Sequence, residues 1–497
     1  MTRRIALHDG NRRWWTLAAM CFALFMIMLD NTVVNVALPS IQRDLHASLS
    51  GLQWTVNAYT LVFGVLLVTG GRLGDIFGRR RVFLLGVLVF AASSAFIGFS
   101  QSQAWLVGGR AIQGVGAAFM MPATLSIITN AFPPHERGKA IGTWAGVSGL
   151  ALAIGPVLGG VLVEHVSWQS IFFINLPVAA GALAVTLFAT PESRDESVTR
   201  RVDVAGIVTI TTGLTALTLA LVDANQWGWG SPRVLGLFAL AAAGLAAFAA
   251  VERRAAAPMV DFDFFRSRTF LGANIVAFTV MFAMLSMFFF LTLYMQNVLG
   301  FSPLEAGLRF LPTTLMVIVV APIAGRLSDR IGPRPLMTAG LALVATSLLW
   351  QSFLTVGSGY GFLIGGFVVM GIGIALVMSP MSAAAMNAVD QSKAGVASGI
   401  LSMSRMVGGT LGIAVLGAFI GRRGPAEFVQ SLGDGLMIGA AVAAAGAIAA
   451  WTLVSPRLGD APPSPPPLTG ELTAPPAETE PEPTPARPRE AREPAGA

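Results

Sequence analysis

The sequence predicts an all-α membrane protein: two six-helix bundles plus an inserted helix pair, 14 transmembrane helices in all. Three observations predict it. The 497 residues are 54% hydrophobic and 12% charged, with mean hydropathy +0.69, whereas a soluble domain carries about twice that charge. Apolar runs of about 20 residues recur, and each can cross roughly 30 Å of hydrocarbon as a helix that satisfies its own backbone. Finally, a short basic stretch occurs twice. Gly71, Arg72, Leu73, Asp75, Gly78 and Arg80 match Gly325, Arg326, Leu327, Asp329, Gly332 and Arg334 at a single offset of 254 residues. Two ordinary positive-inside loops explain the arginines but not six identities in one register, so the chain reads as an internal repeat.

In chain order the expected spans are 14–38, 53–71, 82–99, 105–130, 140–163, 169–190, 204–222, 233–250, 270–298, 305–325, 335–353, 359–385, 394–420 and 434–455. With the N-terminus inside, 22 Lys and Arg fall in cytoplasmic segments and four outside (Arg43, Arg233, Arg422, Arg423). That asymmetry orients the chain and returns the C-terminus to the cytoplasm, in the cell inner membrane. The two repeat copies follow spans two and ten, so spans 1–6 and 9–14 are the repeated halves. The expected divisions are a cytoplasmic N-terminus 1–13, an N-terminal bundle 14–190, an inserted pair with cytoplasmic linkers 191–269, and a C-terminal bundle 270–455. The Pro-, Glu- and Ala-rich segment 456–497 has too little apolar surface to fold and is expected to be a disordered tail. Trp227 and Trp229, in the outer turn of the pair, suit interfacial anchors.

Composition also excludes functions. A pI of 10.3 and net charge +6 invite nucleic acid, but the cations are dispersed over short loops and serve orientation. The single Cys21 forbids an internal disulfide or cysteine metal cluster, and His8, His46, His135 and His165 lie in the tail or loops, so no metal site is expected. Segment 14–38 is too long for a cleavable signal core. The Gly-rich runs lack the Lys-Ser/Thr of a P-loop, which leaves no ATP site, and no catalytic triad is visible. An enzyme is not expected, nor any cofactor beyond protons as coupling ion.

The chemistry resides in charges within spans. Asp30 lies 16 residues beyond Trp14, or roughly 24 Å up a helix. Burial there disfavours a charged carboxylate, which suits a group that binds and releases protons; a permanently paired structural acid is the alternative. In span four, Arg110 and Gln113 start from the opposite side and reach similar depth. Arg110 is expected to meet Asp30 directly or through Gln113 and water, with snorkelling to the outer interface as its alternative. Span five carries Gly142, Gly146, Gly149, Gly155, Pro156, Gly159 and Gly160, small residues that permit tight crossing, with a proline that bends the helix. Glu305 and Arg309 are spaced for a local ion pair, whereas nothing near Arg405 in sequence neutralises it. Weaker cavity candidates are Asn31, Asn35, Asn57, Tyr59, Asn274, Tyr294, Gln296 and Asn387, along with Arg405.

Stretches 70–81, 106–118 and 149–160 resemble the loop, proton-transfer and antiporter signatures of the major facilitator superfamily. Run 29–39, Trp168 with Phe172-Phe173-Ile174-Asn175-Leu176-Pro177, and segment 258–270 are similar to its fourteen-span drug:proton antiporter branch. The resemblance covers about residues 10–455. It implies a major facilitator fold in which Asp75 and Arg79, with Gly71, Arg72, Gly78, Asp329 and Arg330, latch the cytoplasmic face. It also implies that Arg110 assists proton transfer and that Gly155-Pro156 marks export. One departure matters: members that expel dicationic drugs often carry an extra acid in span ten, where this chain has Glu305 at the outer edge, then Thr313 and Thr314. The expected function is proton-driven efflux of a small hydrophobic drug or antibiotic, neutral or anionic, through the lipid bilayer, with no nucleic acid and no obligate protein partner. An exporter of one endogenous metabolite or siderophore, and a non-transporting membrane sensor, are the alternatives.

Overall fold

The computed structural model describes residues 9–194, 202–255, 258, 260, 262–389, 394–420 and 424–456. The expected tail beyond 456, and most of the linker before the inserted pair, lie outside the described residues. Among them there is no strand. The helices of the first half are α1 (Asp9–Asp44), α2 (Leu49–Phe77), α3 (Arg79–Gly98), α4 (Gln103–Ala131), α5 (Pro134–His165), α6 (Ser170–Phe173) and α7 (Asn175–Ala189). Then come α8 (Val204–Trp227) and α9 (Pro232–Glu252). The second half has α10 (Arg268–Leu293), α11 (Pro303–Arg309), α12 (Leu311–Ile331), α13 (Pro333–Ser352), α14 (Tyr360–Asn387), α15 (Ala394–Gly417) and α16 (Pro425–Leu453).

Twelve described helices or helix pairs are long and apolar enough to cross a membrane, against the 14 expected. The two expected spans outside that number are α5, which shows a shorter apolar stretch Ile154–His165, and the 20-residue α13, which has Arg334 near one end and Gln351 near the other. Glycine, serine and these polar ends dilute their apolarity.

Prolines and glycines set the breaks. Span six divides before Asn175 and span ten at Phe310 because Pro177 and Pro312 lack the N–H that would bond back four residues. The basic stretches expected as loops are mostly helix: α2 runs to Phe77 and α3 begins at Arg79. Gly78 alone makes the turn, at φ 108°. Gly332 repeats this at φ 85°, immediately before Pro333. Few side chains adopt that backbone, so one requirement explains a matched glycine in both copies.

Packing repeats as well. In the first half α1 packs on α4, α5 and α7, and α4 on α2 and α3; in the second, α10 packs on α14, α15 and α16, and α14 on α12 and α13. The pair α8–α9 closes through Gly213 and Gly244, and α8 lies against α2 and α15, backing one seam between the halves.

Candidate functional site

Small residues on α4 bring its polar face inside the first half. A methyl group at Gly114 would lie 2.7 Å from the Tyr59 carbonyl oxygen of α2, and one at Gly116 would lie 2.7 Å from the Phe90 nitrogen of α3. Arg110, one turn before Gly114, is thereby enclosed; it is 1% exposed, and Asp30 of α1 is 0% exposed.

The two form an ion pair through Arg110 Nη1 and Asp30 Oδ2. Nη1 also donates to Gln113 Oε1 at 2.6 Å, and Arg110 Nε donates to the Thr55 carbonyl at 3.0 Å. The guanidinium lies over the Tyr59 ring at 4.2 Å, a cation–π contact. On the other carboxylate oxygen, Asp30 Oδ1 accepts from Gln113 Nε2 at 2.9 Å and Asn175 Nδ2 at 3.3 Å. Both amides also reach Ser94 Oγ of α3, at 2.8 and 3.2 Å. Arg110 therefore turns inward to Asp30 rather than snorkelling outward. Sequence reasoning missed Asn175 and Ser94. Asn175 stood only within the run 172–177 that resembles the family branch, with no role attached to it.

Asp30 is one turn from the contact between α1 and α5. Gly155 receives the Thr32 side chain, and a methyl at Gly159 would sit 3.1 Å from Val33 Cα. Towards its C-terminal end the same helix meets the second half: a methyl at Gly160 would lie 2.6 Å from Leu304 Cα, and Gly307 packs on the Pro156 carbonyl. Glu164, one residue beyond the expected end of the span, accepts the Leu304 amide at 3.0 Å. Hydrogen bonds from Ser302 and then Leu304 hold its carboxyl below the usual carboxylate range. Gln296 Nε2 donates to the Val36 carbonyl at 2.9 Å, and Gln53 Nε2 to the Ile413 carbonyl at 2.8 Å, closing two further outer contacts between halves.

Towards the N-terminal end of α5 the picture reverses. Gly142 and Gly146 lie 18 and 14 residues before Gly160, on the same face of α5 by helical periodicity, yet both face open space. The surroundings of Gly149 lie outside the described residues. This face of α5 is therefore covered by α11 near its C-terminal end and uncovered at Gly142 and Gly146.

At the Gly78 turn, Arg79 pairs with Asp75 at 2.8 Å. Gly71 lies near Pro122, where a methyl would make an ordinary 3.4 Å contact, and Arg72 is half-buried. Missed by sequence reasoning, the segment after α7 docks here: the Ser193 carbonyl accepts from the Arg79 amide at 2.8 Å, and Glu192 Oε1 from the Arg80 amide at 3.0 Å. A carboxylate at the start of α3 complements the helix dipole. In the second copy Asp329 and Arg330 are exposed at the end of α12.

Several cavity candidates serve packing instead. The Tyr294 hydroxyl is within 3.0 and 2.8 Å of the Thr355 and Ser358 carbonyls, fastening the outer end of α10. Asn31 and Asn35 donate to carbonyls of their own helix, as does Asn387. Asn274 does the same and accepts from Ser404 Oγ at 2.9 Å. Asn57 and Tyr59 are fully buried; the Tyr59 hydroxyl lies beside the Asn31 side chain, and among the described residues the Asn57 amide has no hydrogen-bond partner. Glu305 and Arg309 approach within 3.8 Å, as expected from their spacing. Arg405 of α15 donates from Nη2 to Ser382 Oγ of α14 at 2.8 Å.

Comparison with known proteins agrees with this architecture. The chain is 41% identical over 412 residues to the tetracenomycin C resistance and export protein of Streptomyces glaucescens, covering 83% of this chain and 77% of that one. It is 39% identical over 406 residues to the multidrug resistance protein Stp of Mycobacterium tuberculosis (strain CDC 1551 / Oshkosh), covering 82% and 75%. In fold it is similar to a bacterial homolog of the human lysosomal transporter Spinster, solved inward-facing and unoccupied. The TM-score is 0.62 at 19% identity, with 89% of this chain and 98% of that one covered. The profile of the Major Facilitator Superfamily matches residues 20–413. These helices are thus those of a multi-pass membrane transporter, and the chain belongs to the Major Facilitator Superfamily.

Proposed function

We propose that this transporter is a drug:proton antiporter of the cell inner membrane, with both termini cytoplasmic, exporting hydrophobic drugs or antibiotics by alternating access. Relatives named for antibiotic export or for drug resistance support the direction and substrate class. One observation carries the coupling: a sequestered carboxylate, Asp30, sits one helical turn from the glycine contacts between α1 and α5. Protonating Asp30 removes the negative half of the ion pair. Arg110 then keeps the Thr55 carbonyl, Gln113 and the Tyr59 ring as partners, which limits the cost of an uncompensated buried cation. Loss of the pair frees α1 relative to α4, and α1 bears directly on α5. Asp75 and Arg79, with Gly71, Arg72 and Gly78, form the cytoplasmic latch of the opposite state, joined by Asp329 and Arg330 when the inner side closes.

One proton crossing 100 mV supplies about 2.3 kcal/mol, enough to bias the cycle without an enzymatic step or cofactor. The test is efflux from cells expressing wild type or Asp30→Asn, with and without an uncoupler, over neutral, cationic and anionic dyes and antibiotics. Uncoupler-sensitive efflux lost in the variant is expected. Equal accumulation with either form across the panel sinks the drug-export reading and favours a single-metabolite exporter.

A further inference from the structure

Charge at membrane depth is balanced in one half and unbalanced in the other. Asp30 and Arg110 neutralise each other, and Glu305 pairs with Arg309 at the outer end. Arg405 differs. It lies 11 residues into α15, roughly 17 Å along the helix. Among the described residues no carboxylate forms an ion pair with it. Its hydrogen bond goes to a neutral hydroxyl, Ser382 Oγ, and its buried Nε has no partner. A guanidinium carries five N–H donors in a fixed fork that matches a planar acid. Holding such a cation at this depth is costly without a counter-charge.

The neighbourhood fits an aromatic acid. Met378 and Met386 lie one turn to either side of Ser382 on α14, and both are only partly buried. Their thioethers adapt to irregular apolar shapes and favour aromatic rings. Arg405 is itself only partly buried, as a group that meets a ligand must be.

We propose that Arg405, with Ser382 beside it, is an anion-recognition site. It takes the carboxylate, sulfonate or phenolate of an exported aromatic amphiphile, so that the substrate supplies the counter-charge this half of the protein lacks. This rests on the exporter reading above and adds the substrate's charge.

The test uses full-length protein in proteoliposomes under an imposed pH gradient, with two probes sharing one skeleton. These are 8-anilinonaphthalene-1-sulfonate, which is anionic, and N-phenyl-1-naphthylamine, which is neutral. The readout is the ratio of their transport rates. Arg405→Gln is expected to lower the sulfonate-to-neutral ratio about tenfold, in line with loss of a charge-assisted hydrogen bond. Arg405→Lys should recover part of it, since a point charge replaces the fork, and Ser382→Ala should lower it about two- to threefold. An unchanged ratio overturns the proposal, as do both rates falling together, the mark of a structural role. Wild type moving the neutral probe but not the sulfonate also overturns it, while leaving the exporter reading standing. Wild type moving neither probe removes the exporter reading, and this proposal with it.

Discussion

Arg110 and Arg405 are guanidinium groups at membrane depth, one in each half, the first buried and the second partly exposed, and their partners differ. Arg110 has a carboxylate, an amide oxygen, a backbone carbonyl and an aromatic face. Arg405 has a hydroxyl. The first arrangement is complete within the protein and asks nothing of a ligand. The second is incomplete, so it depends on something the protein does not contain. A buried ion pair adds little net stability over an apolar core of the same shape, but removing one member alone is costly. On the reading proposed above, the contrast separates the arginine that serves the fold and coupling from the one that meets the cargo.

The largest effect should come from Arg110→Gln, which leaves Asp30 buried without its cation. We expect loss of about 3–5 kcal/mol of stability, seen as a lower melting temperature of the purified protein, together with loss of proton-driven efflux. Arg405→Gln removes a cation that has no partner acid, so its melting temperature should match or exceed that of wild type. A comparable drop in both variants would erase the distinction.

The double variant Asp30→Asn/Arg110→Gln sharpens it. Removing both charges should recover about 2 kcal/mol or more relative to Arg110→Gln alone, since contacting residues couple non-additively. Strict additivity would mean the pair is not the energetic unit described.

Ser382→Asp tests the other side by giving Arg405 an internal acid. Thermal stability should rise by about 1 kcal/mol, while the sulfonate probe loses its advantage over the neutral one. Retained preference for the sulfonate would place anion recognition elsewhere. Asn175→Ala removes one donor to Asp30 and should slow proton-driven efflux about tenfold, short of the loss in Arg110→Gln.

The smallest effect belongs to the outer seal, which has neither arginine. Glu164 is held below the usual carboxylate range when it caps Leu304. Its stabilisation of outer closure is therefore present above the free carboxylate pKa, near 4.3 for Glu, and is lost as external pH falls through the lower, bonded value. Between pH 6 and 8, distances between spin labels on α5 and α11 should not change. Glu164→Gln should broaden them modestly at every pH.

Much of this was legible in the sequence, for reasons that particular residues show. The 254-residue offset identified the repeat because a one-residue turn at positive φ needs glycine in both copies, Gly78 and Gly332. Asp30 and Arg110 could be matched because helical rise converts residue number into depth. Gln113 followed, being one turn below Arg110. The loop-like reading of 70–81 failed because arginines and glycines suggest a connection, whereas the chain stays helical on both sides of Gly78. Asn175, Ser94 and Glu192 were not legible, since each matters only through a partner on another helix. Tyr294 was misread as a cavity residue because a membrane tyrosine looks alike whether its hydroxyl faces a cavity or a loop carbonyl.

By itself, then, the sequence determined that the chain is a multi-pass helical membrane protein with a duplicated plan. These follow from hydropathy and from a repeated stretch whose glycines meet a backbone limit, both properties of short stretches. Tertiary structure alone decided which polar groups meet: Asp30 with Asn175, Glu164 with Leu304, and Arg405 with a hydroxyl instead of an acid. The reason is that lipid is as apolar as the helix surfaces, so burial does not choose a helix's neighbours. That choice falls to close approach at small residues and to hydrogen bonds between helices, which exist only once the helices are assembled.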